Sequence, residues 1–174
     1  MKRYLLIAIL CLGATSCAPF SRDLMRRVDP TVTLAQVQRD PQPFVGKEVL
    51  WGGIIAESRV YQNETHIFVR KTELDYEKRP TYLDRSTGRF LVRYAGFLDP
   101  AIYRDGREIT VIGEIAGREI LPLSNTTYPY PVVLAKELHL WERRPVYGPV
   151  YPPWYWEPYP YWYWRGYPPY WWWY

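Results

Sequence analysis

The stretch GKEVLWGGIIAE, residues 46–57, is a long β-type run with a glycine pair near its centre. Its aliphatic and aromatic residues favour a strand, whereas glycine inside a strand usually marks a bulge or a sharp bend. A second run, GREITVIGEIAG at residues 106–117, opens with the same glycine, basic residue, glutamate and aliphatic residue, and it repeats the mid-strand glycine. Because the two bent strands share one sequence pattern, we expect them to occupy equivalent positions in a single closed sheet.

Three more strands follow from the pattern of apolar residues and breakers, at residues 65–70, 88–94 and 132–141. The segment YQNE, residues 61–64, is a hairpin turn between the first two strands. Five strands, two of them long and bent, predict an all-β fold, a small OB-like Greek-key barrel. A small β-sandwich is the alternative. The chain has no long run of helical period, which excludes a helical fold.

A short helical turn is expected just before the first strand. Thr33 is a suitable N-cap for residues 34–38, where Leu34 and Val37 lie on one face, and the prolines at 41 and 43 end the turn. We therefore assign residues 33–144 to the barrel domain.

The N-terminus is predicted to carry a targeting signal. Lys2 and Arg3 precede an apolar run of about nine residues, which suits a secretory signal and is too short to span a bilayer. Small residues at 14–16 then precede Cys17, a pattern that resembles the lipobox of bacterial lipoproteins. In that family the chain is cut before the cysteine, whose thiol receives a diacylglycerol and whose amino group is acylated. A plain secretory signal cut near Ala18 is the alternative.

Cleavage after residue 16 would leave Cys17 as the single cysteine of the remaining chain. No disulfide within the monomer is then possible, and lipid attachment accounts for the odd thiol. In Gram-negative lipoproteins an aspartate after the cysteine retains the protein in the inner membrane. Ala18 stands there instead, so the resemblance implies the outer membrane, periplasmic face by default. Residues 17–32 are predicted as a lipidated tether, whose arginines at 22, 26 and 27 either touch anionic head groups or are simply solvated.

Composition limits the remaining functions. The chain has 174 residues, which is room for one ordinary domain, and a formal charge of +4 that includes the two basic residues of the signal. So small an excess does not indicate a nucleic-acid partner. His66 and His139 lie in separate strands, and we predict no metal or cofactor site. Asp99, which precedes a proline, is interpreted as initiating a turn, and no catalytic motif is present. We predict that the protein is not an enzyme.

Residues 145–174 form a tail of proline, tyrosine and tryptophan that ends in WWWY. Repeated prolines predict an irregular, extended backbone, and tryptophan favours a membrane–water interface or the face of a sugar ring. The candidate contacts with membrane or glycan are Trp154, Trp156, Trp162, Trp164, Trp171, Trp172 and Trp173. The possible partners are lipid, peptidoglycan, lipopolysaccharide or a groove on another envelope protein, and a tail without a specific partner is the further alternative.

Several segments together resemble the Slp family, the starvation-inducible outer-membrane lipoproteins of Gram-negative bacteria. They are GRF at residues 88–90, GFLDPAIY at 96–103, GREITVIG at 106–113, GK at 46–47 leading to GG at 52–53, RP at 79–80, and YPYPVV at 128–133 leading to Trp141. The resemblance covers residues 1 to about 144. It implies an outer-membrane lipoprotein linked to envelope stress or stationary phase, and it implies no known reaction.

We therefore predict a lipid-anchored, non-catalytic protein with a structural or stress-related role in the envelope. The alternative is a periplasmic binding module that recognises a glycan, a small ligand or an envelope protein through the barrel face or the aromatic tail.

Overall fold

The computed structural model describes residues 19–144, so the predicted signal, Cys17 and the tail at 145–174 lie outside the described residues. Strands make up 51% of the described residues. The described residues through Arg143 belong to one compact unit. Its elements are α1 (Arg22–Arg27), α2 (Leu34–Arg39), a 3-10 turn (Gln42–Phe44), β1 (Glu48–Val60), β2 (Thr65–Leu74), β3 (Pro80–Thr81), β4 (Gly88–Tyr94), β5 (Glu108–Leu123) and β6 (Thr126–Leu140).

Five of the strands close into a barrel. They follow the order β1-β5-β6-β4-β2, and β2 pairs back onto β1. All of these pairs are antiparallel except β4 with β6, a short parallel pair that runs from Leu91↔Val132 to Arg93↔Leu134. The two-residue β3 adds only to the end of β2. The predicted all-β barrel of five strands is confirmed.

The two runs with matching sequences pair with each other, as β1 and β5. The N–H of Gly46 donates to the carbonyl of Ile115 at 2.9 Å, and the N–H of Gly106 donates to the carbonyl of Ile55 at 2.9 Å. Gly46 is equivalent to Gly106 in the repeat, and Ile55 is equivalent to Ile115, so the two hydrogen bonds are symmetric counterparts. The two repeated sequences are thus related by a local pseudo-two-fold axis between β1 and β5.

The barrel interior is filled by the alternate side chains that point inward. The fully buried members include Ile55, Ile67, Val69, Phe90, Val92, Val111, Ile115 and Val133. Helix α2 packs Leu34 and Val37 against this core. Thr33 caps α2 as predicted, since the Thr33 hydroxyl accepts from the Gln36 N–H while the Gln36 side chain accepts from the Thr33 N–H.

Strands β5 and β6 are longer than the sequence predicted. The predicted strands end at residue 117 and begin at residue 132, whereas residues 118–131 continue the pair as a hairpin that turns at residues 124–125. This hairpin brings Tyr130 and Val132 onto the outer face of Phe68 and Leu91, where the four side chains form a second apolar cluster. The outer face of the barrel is therefore partly apolar.

Candidate functional site

The structure does not describe the residues that the sequence predicted as contacts with lipid or glycan. Cys17 and all seven tail tryptophans, Trp154, Trp156, Trp162, Trp164, Trp171, Trp172 and Trp173, lie outside the described residues. Their assignment stays a prediction. Two surfaces within residues 19–144 bear on function, namely the N-terminal segment and a face of the barrel rich in arginine.

The described part of the predicted tether lies against the barrel. Phe20 is only 6% exposed and packs edge-on to the His139 ring, with 6.2 Å between ring centroids. The N–H of the next residue, Ser21, donates to the Glu137 carboxylate at 2.9 Å. Phe20 is an apolar residue in a largely polar segment, and burying its aromatic ring stabilises the docked position of that segment.

Helix α1 continues along the barrel after this contact. Its apolar side chains, Leu24 and Met25, are half-buried, whereas the arginines at 22, 26 and 27 are exposed. The three cations that follow the predicted lipid site thus all face solvent, on a short helix whose apolar side chains are turned away from it.

The N-terminal segment is tied to the start of β1 by Asp29. The Asp29 carboxylate accepts from the Thr31 hydroxyl at 2.6 Å and from the Thr31 N–H at 3.0 Å, and it pairs with Lys47 at 3.1 Å. The hydrogen bonds from Thr31, with the added bond and charge of Lys47, lower the pKa of Asp29 to about 2. The Asp29 N–H also donates to the Glu48 carbonyl at 2.9 Å. This end of the segment is therefore held by both backbone and charge.

The second surface, which we call the arginine face, is the outer side of β1, β2 and β4. Alternation along these strands turns Arg59, Arg70, Arg89 and Arg93 outward, because Ile67, Val69, Phe90 and Val92 face the core. Its floor is the second apolar cluster, Phe68, Leu91, Tyr130 and Val132, which is at most 5% exposed. The guanidinium of Arg59 lies 4.8 Å from the centroid of the Phe68 ring. The arginine face thus combines cations with an apolar, aromatic base.

The four arginines differ in their partners. Arg59 binds Glu57 with two nitrogens, at 2.6 and 2.9 Å, and Arg93 pairs with Glu119. Arg70 and Arg89 lie directly opposite each other across β2 and β4. Within residues 19–144 neither of these two arginines forms an ion pair with a carboxylate. Two like charges therefore face each other at the centre of the arginine face.

Tyr130 brings a hydroxyl group to the same place. Burial raises the pKa of Tyr130, and the neighbouring Arg89 guanidinium opposes that rise. The tyrosine hydroxyl is consequently neutral at ordinary pH and lies beside one cation, the Arg89 guanidinium, from which its oxygen can accept a hydrogen bond.

The histidines lie apart. His66 Nε2 is 2.6 Å from the Glu64 carboxylate and the ring packs on Tyr61, while His139 is sandwiched between Phe20 and Trp141. Across the described residues no three side chains among histidine, cysteine, aspartate and glutamate are placed to hold a metal ion together. No helix within residues 19–144 is long and apolar enough to cross a membrane.

Several segments that carry the family resemblance meet at one end of the barrel. Arg79 Nε donates to Glu108 Oε2 at 2.5 Å, and its guanidinium lies 5.5 Å from the Trp141 ring centroid. The indole N–H of Trp141 donates to the Thr110 hydroxyl at 2.9 Å. This network joins the polar segment before β4 to the ends of the long hairpin, so these residues have structural roles.

The Phe-Leu-Asp-Pro block forms the turn that the sequence predicted. Asp99 Oδ1 accepts from the Ala101 N–H at 2.8 Å, and the Asp99 carbonyl accepts from the Tyr103 N–H at 2.9 Å. Leu98 is buried beneath the turn, whereas Phe97 is 71% exposed.

Sequence reasoning did not identify the arginine face. Its arginines are far apart in the chain, and only the strand register brings Arg70 opposite Arg89. The single sequence signal was that three of the four, Arg70, Arg89 and Arg93, alternate with core residues in predicted strands.

Comparison with known proteins finds a family that matches most of this chain. The model of the outer membrane lipoprotein Slp family matches residues 14–172, which include Cys17 and most of the aromatic tail. The chain is 33% identical over 129 residues to an uncharacterized lipoprotein, YeaY, of Escherichia coli (strain K12), a match that covers 72% of this chain and 66% of that relative, just under two thirds of its length.

Two other relatives match over more of their length. An uncharacterized protein of Haemophilus influenzae (strain ATCC 51907 / DSM 11121 / KW20 / Rd) is 29% identical over 152 residues, covering 87% of this chain and 81% of that protein. The outer membrane protein Slp of Escherichia coli (strain K12) is 24% identical over 156 residues, covering 88% and 82%.

Proposed function

Because the chain belongs to the Slp family of outer membrane lipoproteins, we propose that Cys17 carries the lipid and that the barrel is held directly on the periplasmic membrane surface. The observation that carries this proposal is the docked position of Phe20. Phe20 is the third residue after the proposed lipid site, a span of about 10 Å at full extension. A free tether over residues 17–32 would have allowed roughly 50 Å.

The exposed arginines of α1 support the same orientation. They lie within ten residues of the proposed lipid site, so a barrel drawn close to the bilayer brings them near its head groups. Each arginine near an anionic surface contributes about 1 kcal/mol, an amount that adds to an acylated anchor.

Anchoring is tested by replacing Cys17 with serine in cells labelled with a radioactive fatty acid. We expect label on the wild-type protein in the outer-membrane fraction, and neither label nor membrane fractionation for Cys17→Ser. Label retained on Cys17→Ser, or wild-type protein found in the soluble periplasm, would overturn the lipid assignment.

Proximity to the membrane is tested separately, by amide hydrogen exchange of α1 in the full-length lipidated protein. We expect exchange in α1 to slow when the protein moves from neutral detergent to vesicles that contain anionic lipid. The triple variant Arg22→Gln, Arg26→Gln, Arg27→Gln should lose most of that slowing while keeping its lipid. Equal exchange in detergent and vesicles would contradict a barrel seated on the membrane.

We further propose that the role is non-catalytic and structural or stress-related. The support is that two largely buried carboxylates are each paired with a base, Glu108 with Arg79 and Glu48 with Lys136, and that the family is one of outer membrane lipoproteins. A deletion strain should grow normally in rich medium and lose envelope integrity in stationary phase, measured by detergent sensitivity. Unchanged sensitivity in both phases would remove the stress role.

The second candidate function is a binding module, and the arginine face favours it. The aromatic tail stays a separate prediction, tested by deleting residues 145–174. If that deletion leaves binding to liposomes and peptidoglycan unchanged, the tail is not the binding element and the barrel must carry the activity.

A further inference from the structure

The centre of the arginine face holds an uncompensated charge pair. Arg70 and Arg89 occupy directly opposed positions, where Cβ atoms lie about 5 Å apart, and like charges so placed destabilise a sheet. Both residues are half-buried, which removes part of the water that would screen them. On the other side of Arg70 the opposed residue in β1 is Ile54, which is apolar. Among the neighbouring strands β6 places the Tyr130 hydroxyl beside Arg89, but no ion pair within the described residues offsets the repulsion.

Hydrogen-bond donors converge on the same face. The Tyr130 hydroxyl lies beside Arg89. Farther along β4, the Nε of Arg93 is buried and has no hydrogen-bond partner within the described residues. Buried donors normally find an acceptor, so Arg93 Nε is a donor that the described residues leave unsatisfied.

The apolar base of the face adds a second kind of contact. Phe68 and Leu91 form the next cross-strand pair along β2 and β4, with exposed fractions of 5% and 0%. Tyr130 covers Phe68 from the hairpin, with 5.3 Å between ring centroids, and the guanidinium of Arg59 lies 4.8 Å from the Phe68 ring. Arg59 is a long side chain that can move aside, so a carbon skeleton attached to an anion would contact the edge of this cluster beside Phe68.

We propose that Arg70 and Arg89 form a binding site for a phosphate monoester, carried by a soluble sugar or by a lipid headgroup. This inference rests on the second candidate function, the barrel as a binding module. Guanidinium groups bind phosphate oxygens in pairs, and each such pair is a charge-assisted interaction. A monoester carries close to two negative charges at neutral pH and so neutralises both arginines, whereas a single carboxylate or a phosphodiester leaves one arginine unbalanced.

Binding is measured by isothermal titration of the full-length protein in neutral detergent, with glucose 6-phosphate, dimethyl phosphate and acetate as probes. We expect glucose 6-phosphate to bind more tightly than the two monoanions. The double variant Arg70→Gln, Arg89→Gln should weaken it by about tenfold or more, since charge-assisted hydrogen bonds are lost. Arg104→Gln is the matched control, because Arg104 is exposed and lies in the loop before β5. It should bind like wild type.

Stability provides a second readout that does not depend on the ligand. If the opposed arginines exist for binding, Arg70→Gln and Arg89→Gln should leave the midpoint of urea unfolding unchanged or raise it. If the two arginines instead have a structural role, either variant lowers the midpoint and the proposal is overturned.

The source of the phosphate is distinguished with vesicles and the unlipidated full chain, Cys17→Ser. Phosphatidic acid presents a monoester and phosphatidylglycerol a diester, so a preference for phosphatidic acid that Arg70→Gln, Arg89→Gln removes indicates a lipid headgroup. Binding of glucose 6-phosphate without that preference indicates a soluble ligand. Failure to bind any monoester, or equal binding by the double variant, overturns the site. Equally tight binding of acetate overturns the phosphate class while leaving the barrel as a binding module.

Discussion

Gly53 and Gly113 occupy equivalent positions in β1 and β5, and at each the adjacent strand passes where a side chain would stand. A Cβ atom at Gly53 would lie 1.9 Å from the carbonyl oxygen of Arg70, and one at Gly113 would lie 2.3 Å from that of Leu134. Both clashes are with backbone, so no change of rotamer relieves them. These glycines let β1 approach β2, and β5 approach β6, more closely than any other residue allows.

Gly53→Ala should therefore lower the free energy of unfolding by about 2–4 kcal/mol, because the strands must separate to admit the methyl group. Urea denaturation of the two proteins measures this loss. The control is Gly106→Ala, where a Cβ meets nothing within 4 Å but φ is +80°, so only conformational strain of about 1 kcal/mol applies. Equal losses in the two variants would show that backbone conformation, and not space, requires glycine at 53.

Asp29 should make the docking of the N-terminal segment sensitive to acid. Its pKa in the folded protein is about 2, below the ordinary 3.8, so its contribution to stability is complete above about pH 4 and is lost as the pH falls towards 2. The thermal midpoint of Asp29→Asn should lie below that of wild type at pH 6, and the two midpoints should converge near pH 2. A difference that is the same at both pH values would contradict this assignment.

At the scale of elements, the long β5–β6 hairpin does more than close the barrel. Its distal half places Tyr130 over Phe68, with 5.3 Å between ring centroids, and so covers the outer face of β2. The sequence did not predict this half as strand because Pro129 and Pro131 interrupt it. Both prolines precede Val132, the first residue of β6 that pairs with β4. They are alternate residues of β6, so both lack an N–H group on the same, unpaired edge of the strand.

Tyr130→Ala tests how much the hairpin stabilises the barrel. Removing a side chain that is only 2% exposed should lower the free energy of unfolding by about 3 kcal/mol, measured in urea. Ile120→Ala on the partner strand is the control, since Ile120 is 66% exposed and should change stability by less than about 0.5 kcal/mol. Similar effects of the two substitutions would mean that the hairpin contributes no apolar cover.

The strands themselves were predictable because each is bounded by glycine, proline or a polar turn, and the repeat around Gly53 and Gly113 indicated equivalent positions. The arginine face was not predictable in the same way. Alternation shows that Arg70 and Arg89 point away from the core, but it does not show which residues are opposite each other. The register of β2 with β4, which sets Arg70 opposite Arg89, is revealed only by the folded sheet.

At the scale of the whole molecule, the barrel consists of two local hairpins and β4, which pairs with one strand of each hairpin. The β1–β2 and β5–β6 pairs are hairpins with short turns, whereas β1–β5 and β4–β6 bring together residues far apart in sequence. The interior is shared between both hairpins, so neither can bury its apolar face alone. The stability of each half therefore depends on the other.

The short parallel pair between β4 and β6 has a consequence for how the barrel forms. Only three residue pairs, Leu91↔Val132 to Arg93↔Leu134, close the barrel between β4 and β6. Bringing together strands so far apart in the chain costs conformational entropy, so we expect this pair to form slowly. Pulse-labelling hydrogen exchange during refolding should show amides in the β1–β2 and β5–β6 hairpins protected before those of this pair. Simultaneous protection of all strands would mean that the ring forms in one step. Until the pair closes, the newly exported chain presents open strand edges to its neighbours, so this seam is the place where export and aggregation compete.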